Sequence, residues 1–222
     1  MAPLSGRRKR SVHGRSEHYT RDRSTEAMND DPRFPELVSL ACHDLRTPLA
    51  TVAGFASTLL RMGDIDEQRL RYLTLIDAAA TQLGEIIDDL GVVARIEGGR
   101  FEPAAEPVDS LDLVTMAAQQ LGDGSIRVTG TGAAVQLDSE LAVRAVRCMA
   151  TAAIRHGGLD GVDVNVNGTR VELSPVSAET APIVRGDDLR DLGAAAARRS
   201  LEAQGATVIA GHGAILVELP PA

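Results

Sequence analysis

FPELVSLACHDLRTPLATVAGFASTLL, residues 34–60, sets the architecture of this chain. Phe34, Val38, Ala41, Leu45, Pro48, Val52, Phe55 and Leu59 recur at alternating spacings of four and three, the a/d seam of a packed amphipathic helix. Arg61-Met-Gly-Asp-Ile-Asp66 interrupts the pattern with a short polar turn. A second helix is expected over 67–96, where Tyr72, Ile76, Ala79, Leu83, Ile86, Leu90 and Val93 repeat the alternation. Two long helices joined by a short turn form an antiparallel hairpin. One hairpin cannot bury both seams fully, so the expected assembly is a homodimer with a four-helix bundle. The alternative is a hairpin packed on its own C-terminal half.

Around this stretch the chain divides. Residues 1–32 are polar, charged and aperiodic, and read as a disordered tail. Its basic run, Arg7, Arg8, Lys9 and Arg10, is followed by no apolar stretch, so it reads as neither a secretory signal nor a membrane anchor. No room is expected ahead of residue 33 for a sensor domain. Gly98, Gly99, Pro103 and Pro107 mark a linker over 99–108, after a hairpin domain at 33–98. From 109 to 222 strands and helices mix: helices near 109–121, from Asp138 or Ser139 to 156, and 188–204; strands at 126–129, 134–137, 162–166, 170–173, 207–210 and 214–219. Turns are expected at Asn167-Gly168 and Gly211-His212-Gly213. The fold class is α+β, a helical hairpin followed by a small α/β sandwich.

Composition narrows the function classes. The net charge of −8 over 222 residues argues against nucleic acid as the main partner. Aromatics make up only 2% and Trp is absent, so the core must come from Leu, Val, Ile and Ala. Cys42 and Cys148 have no metal-ligand spacing and form no disulfide framework, so no metal site is expected. No apolar run reaches the roughly 18 residues a bilayer requires. A cytoplasmic location is the expectation.

Ser39-Leu-Ala-Cys-His-Asp-Leu-Arg-Thr-Pro-Leu49 carries the chemistry. With Ala41 and Leu45 on the seam, His43 stands about 200° round the helix and faces outward. Asp44 can accept the Nδ1 proton and leave Nε2 as the nucleophile. Thr47 lies one turn on, on the same face as His43. Pro48 cannot donate to the Asp44 carbonyl, so a bend is expected below the histidine. Cys42 reads as a small packing residue rather than a redox handle.

This stretch resembles the H-box of two-component histidine kinases, His-(Glu/Asp)-Leu-Arg-(Thr)-Pro-Leu. The resemblance extends to Arg71-Tyr-Leu73, Ile87-Asp-Asp-Leu90, Ala94-Arg-Ile-Glu-Gly98 and Glu106-Pro-Val-Asp109. It implies that His43 is the phosphoacceptor, that Asp44 acts as base or orienter, and that Thr47 assists dephosphorylation. It implies a response-regulator receiver domain as partner, with a partner histidine kinase as a second candidate.

Residues 109–222 resemble the family's ATP-binding domain, stripped of its functional groups. Asp138–Arg147 leads into the N-box and Ala153-Ile-Arg-His-Gly157 matches its end. His156 there reads as an ordinary surface residue. Ala152 stands where the resemblance places a Mg²⁺-binding Asn, and Thr151 where it places an acid. Leu173–Pro182 has neither the Asp nor the Gly of the adenine-reading box. The segment before the helix at 188 is too short for a long lid. The second glycine box has become Asp191-Leu-Gly193-Ala194, and an aspartate there repels phosphate. ATP and Mg²⁺ are therefore not expected as cofactors. Three functions stay open: histidine phosphotransfer without an ATP site, ATP-dependent autophosphorylation of His43, and a non-catalytic scaffold.

Overall fold

The computed structural model describes residues 34–62, 66–122 and 124–222. The tail read at 1–32 and the middle of the turn at 61–66 lie outside them. Helices α1 (Phe34–Met62) and α2 (Glu67–Glu97) form the hairpin, and α1 runs unbroken through Pro48. Asp66 caps α2, its carboxylate accepting from the Arg69 N–H at 2.9 Å.

The two helices meet along a seam displaced by one residue from the expected one. Cys42 and Ala56 of α1 are buried, with Ser39, Leu49, Ala53 and Leu60 half-buried on the same line. On α2 the line runs Leu73, Asp77, Ala80, Gly84, Ile87, Gly91 and Ala94. Both keep the four/three alternation, but their residues are mostly small, which lets two helix backbones approach closely. Ser57 Oγ donates to Asp77 Oδ1 across it at 2.8 Å.

The large residues expected to close the hairpin point elsewhere. Leu45, Val52, Phe55 and Leu59 of α1, and Tyr72, Ile76, Leu83 and Ile86 of α2, are exposed, Phe55 to 68%. One residue is about 100° of rotation, so this stripe lies beside the hairpin contact rather than in it. The periodicity gave the spacing correctly and selected the larger of two adjacent seams.

Beyond the hairpin lie β1 (Glu106–Asp109), α3 (Ser110–Leu121), β2 (Ile126–Gly132), β3 (Ala134–Leu137), α4 (Ser139–Gly157), β4 (Val162–Gly168), β5 (Arg170–Ser174), α5 (Ala181–Val184), α6 (Leu192–Ala203), β6 (Thr207–Gly211) and β7 (Ala214–Glu218). A five-stranded sheet runs in the order β2-β4-β5-β7-β6, and only the β2–β4 pair is parallel. Val162, Val164 and Val166 alternate with exposed Asp163 and Asn165, which gives the sheet one apolar face. Leu113, Val114, Val143, Met149, Ala152 and Leu201 of α3, α4 and α6 close the core with it. The result is the expected α+β arrangement, a helical hairpin followed by an α/β sandwich.

Differences from the sequence reading are local. Residues 106–108, read as the end of the linker, and Asp109, read as the start of a helix, form β1, which pairs antiparallel with β3. Its proline sits on an edge strand, where a missing N–H is tolerated. Strand β2 runs three residues further than expected because Gly130–Gly132 pair with Val166–Gly168. The final helix begins at Leu192 rather than 188, with α5 folded before it. His212 and Gly213, between β6 and β7, both take positive φ, the backbone of a type I′ hairpin turn.

The small seam gives a direct expectation. Ala80→Leu should destabilise the hairpin by about 1–3 kcal/mol through overpacking. Ala79→Leu, on the neighbouring exposed line, should not. Chemical denaturation of the two variants side by side checks this.

Candidate functional site

His43 lies on the outer surface of α1, its side chain 77% exposed. Its Nδ1 is 3.2 Å from Asp44 Oδ1. Neighbouring residues on a helix point about 100° apart, so this contact needs both side chains to lean together, and their shared exposure allows it. Thr47 is exposed one turn further along, its carbonyl accepting from Thr51 Oγ at 3.1 Å. The outward face expected for His43 is therefore present, although the buried neighbour that sets it is Cys42. The ring is free for an incoming group, and its Nδ1 side is already occupied by a carboxylate.

Behind this face runs a charged network that the sequence reading did not single out. Arg46, three residues after His43, donates to Asp88 Oδ1 on α2 from Nε at 3.2 Å and from Nη2 at 2.8 Å. Arg144 of α4 reaches the same helix. It donates to Asp89 Oδ1 from Nε at 2.9 Å and from Nη2 at 2.8 Å, and to the Glu85 carbonyl at 2.7 Å. It also stands 3.6 Å from Asp88 Oδ2. Arg147 binds Glu85 at 2.8 Å, and Arg199 of α6 binds Glu97 at 3.3 Å. Helix α2 is thus held to the α/β sandwich by arginines on its outer face, while its inner face closes the hairpin. A signal was present in the sequence: Glu85, Asp88 and Asp89 share a helix surface, and Arg144 and Arg147 are one turn apart.

Asp89 is buried, and burial holds its carboxyl above the ordinary carboxylate range against the pull of Arg144. Cys148 stands beside it. Burial, reinforced by the Asp89 charge, pushes that thiol up to about 11, so it stays protonated and unreactive at neutral pH.

Three of the positions read as departures from the family's ATP site, Thr151, Asp191 and Gly193, line one cleft of about 370 Å³ between α2, α4 and the start of α6. Glu85, Asp89, Cys148, Thr151, Asp191 and Gly193 are among its lining residues. Ala152 is not, because its methyl is fully buried in the core. Asp191 is buried at the N-terminus of α6, where Oδ1 accepts from the Ala194 N–H at 3.0 Å. Its Oδ2 lies 3.1 Å from His156 Nε2 and 3.3 Å from Arg155 Nη1. A helix N-terminus with two basic side chains is an anion site, and here a carboxylate of the chain itself occupies it. His156, read as a surface residue, is this carboxylate's partner.

Comparison with known proteins agrees with this geometry. Residues 36–99 match the His Kinase A (phospho-acceptor) domain. The chain is 29% identical over 120 residues to the sensor protein DivL of Caulobacter vibrioides, covering 54% of this chain and 16% of that protein. It is 28% identical over 183 residues to a sensor-like histidine kinase of Rhizobium meliloti, covering 76% and 34% respectively. It therefore spans about a sixth to a third of the length of these relatives. Among solved structures, full-length ShkA in complex with AMPPNP matches with a TM-score of 0.57 at 22% identity, over 84% of this chain and 46% of that one. The Acinetobacter baumannii histidine kinase AdeS matches at 0.52 and 16%, over 80% and 97%. These likenesses establish the shared fold.

The raised Asp89 carboxyl sets a pH dependence. Between the ordinary Asp value of 3.8 and the raised native value, the folded state holds more protons than the unfolded state. Stability contributed by this group is therefore lost as pH rises through that window. Asp89→Asn should gain on the wild type from about pH 4 upward, read as the difference between their urea midpoints at several pH values.

Proposed function

We propose that the chain, whose residues 36–99 match the His Kinase A (phospho-acceptor) domain, is a histidine-kinase-like protein that acts in histidine phosphotransfer. His43 exchanges a phosphoryl group with an aspartate of a response-regulator receiver domain, without ATP of its own. The observation that carries this reading is Asp191. Its buried carboxylate takes the helix N-terminus and the basic side chains that a nucleotide phosphate would use.

The other cleft residues point the same way. The arginines that line the cleft are largely engaged by the chain's own carboxylates, Arg147 by Glu85 and Arg155 by Asp191, so little cationic surface is left for a triphosphate. Divalent magnesium needs hard oxygen ligands, and Ala152 supplies none. The residues present do not fit ATP, so no step is routed through it.

The chemistry is then confined to His43. With Nδ1–H donated to Asp44, the Nε2 lone pair faces solvent and attacks the phosphorus of the phospho-aspartate. The P–N bond forms as the P–O bond to the aspartyl carboxyl breaks, and the carboxylate leaves with the electron pair. Asp44 balances the positive charge that develops on the ring. Return transfer is the same step reversed. Thr47 is placed on the same face to orient phosphoryl oxygens or a water.

The exposed stripe of Leu45, Val52, Phe55, Leu59, Tyr72, Ile76 and Leu83 fits a second copy of the hairpin, giving a homodimeric four-helix bundle. His43, off this stripe, stays accessible in such a bundle.

Two experiments test these readings. A panel of receiver domains charged with acetyl phosphate should pass label to the wild type and not to His43→Ala, and γ-labelled ATP should label neither protein. Labelling by ATP would make the chain a kinase, and loss of transfer from every receiver would make it a scaffold. Separately, Phe55→Asp combined with Leu83→Asp should convert a dimer into a monomer in light scattering. A dimer that survives both substitutions would place the interface elsewhere.

A further inference from the structure

At the end of the hairpin away from its turn lies a second cleft, distinct from the one at α6. Ser39, Cys42 and Arg46 of α1 line it, with Gly91 and Arg95 of α2 and Arg100 just beyond. Its volume is about 210 Å³. We propose that it binds a small phosphate-class oxyanion, either free phosphate or a phosphomonoester.

Three observations converge on this cleft. First, two guanidinium groups crowd one spot. A Cβ built on Gly91 would stand 3.3 Å from Arg46 Nη2 and 3.7 Å from Arg95 Nη1. Glycine leaves the space that brings two like charges together, and Arg100 adds a third. Like charges at such range repel unless an anion lies between them. Second, compensation is incomplete. Among the described residues the carboxylate paired with this trio is Asp88, on Arg46, and Asp88 is also shared with Arg144. Third, the Ser39 hydroxyl is buried at the cleft without a hydrogen-bond partner among the described residues. An unpartnered buried hydroxyl is costly, and a turn of the Ser39 side chain toward the cleft would let a bound oxyanion accept its proton.

The donor set decides the ligand class. Guanidinium forks match the paired oxygens of phosphate and hold them with charge-assisted bonds. Cys42 adds an apolar wall. The same three arginines border an adjoining cleft, but Asp88, Glu102, Asp138 and Glu140 also line that one, whereas no carboxylate is among the residues lining the Ser39 cleft. The anion therefore belongs on the Ser39 side. Its occupancy would be felt at the junction with the α/β sandwich, because Arg46 shares Asp88 with Arg144. Nothing in this site depends on phosphoryl transfer by His43.

The test titrates the full chain with inorganic phosphate and, separately, with glycerol phosphate, at constant ionic strength held by chloride. Isothermal calorimetry and the shift in Tm are read together. Saturable binding of either ligand is expected. Saturation by phosphate marks the free anion as sufficient, and saturation by glycerol phosphate alone marks a phosphomonoester. Arg95→Gln with Arg100→Gln should weaken binding about tenfold or more, two charge-assisted contacts being lost. Both positions are exposed, so the double variant should keep the wild-type circular dichroism. His43→Ala and the remote Arg127→Gln should bind as the wild type does. Failure of both ligands to saturate, or undiminished binding by the double variant, would overturn the proposal.

Discussion

Arg144 reaches out of the α/β sandwich and closes on helix α2, and much of the molecule's organisation depends on that grip. Its guanidinium meets Asp89, the Glu85 carbonyl and the edge of Asp88. With both partners largely shielded from water, neither charge can be left alone without a large penalty. Helix α2 therefore serves two packings at once. One surface closes the hairpin with α1, and the next is a wall of the sandwich. Glu85 and Asp89, placed by this contact, also become walls of the cleft in which a family ATP site would lie. One docking interaction both joins the two parts and engages Arg147 with Glu85 at the wall of that cleft.

The same grip extends to the phosphoacceptor helix. Asp88 is held by Arg46 on one side and approached by Arg144 on the other. A rearrangement at the sandwich thus has a physical route to the residue one turn from His43. The histidine itself stands apart from this network, exposed and, among the described residues, paired with its neighbour Asp44. That separation suits a group that must meet a partner: the supporting charges lie behind the helix, and the reactive face stays open.

Asp191 shows how a helix N-terminus can be filled from within the chain. A helix N-terminus and two basic side chains would hold a phosphate, and a single carboxylate at the capping position satisfies all three. One carboxylate caps the helix and takes the anion position in the same stroke. In the sequence it reads only as a charge of the wrong sign in a glycine box. The structure adds that His156 and Arg155 are turned toward it.

The residues alone determined a good deal. Four/three spacing marked both hairpin helices to within two residues at each end, and alternation with turn signals placed most strands, because these periods are properties of the backbone. The segment from Ser39 to Leu49 located His43 and Thr47 on one exposed surface. Other features waited on the tertiary structure. Period alone does not say which of two adjacent stripes closes a hairpin. That depends on how near two backbones can come, and the small line of Cys42, Ala56, Ala80 and Gly91 wins inside the hairpin while Leu45, Val52 and Phe55 are left outside. Nor could spacing show that Arg144 would meet Asp89 from 55 residues away, or that Asp191 would find His156 from 35. Such pairs are made by burial, which acts only once the layers have packed.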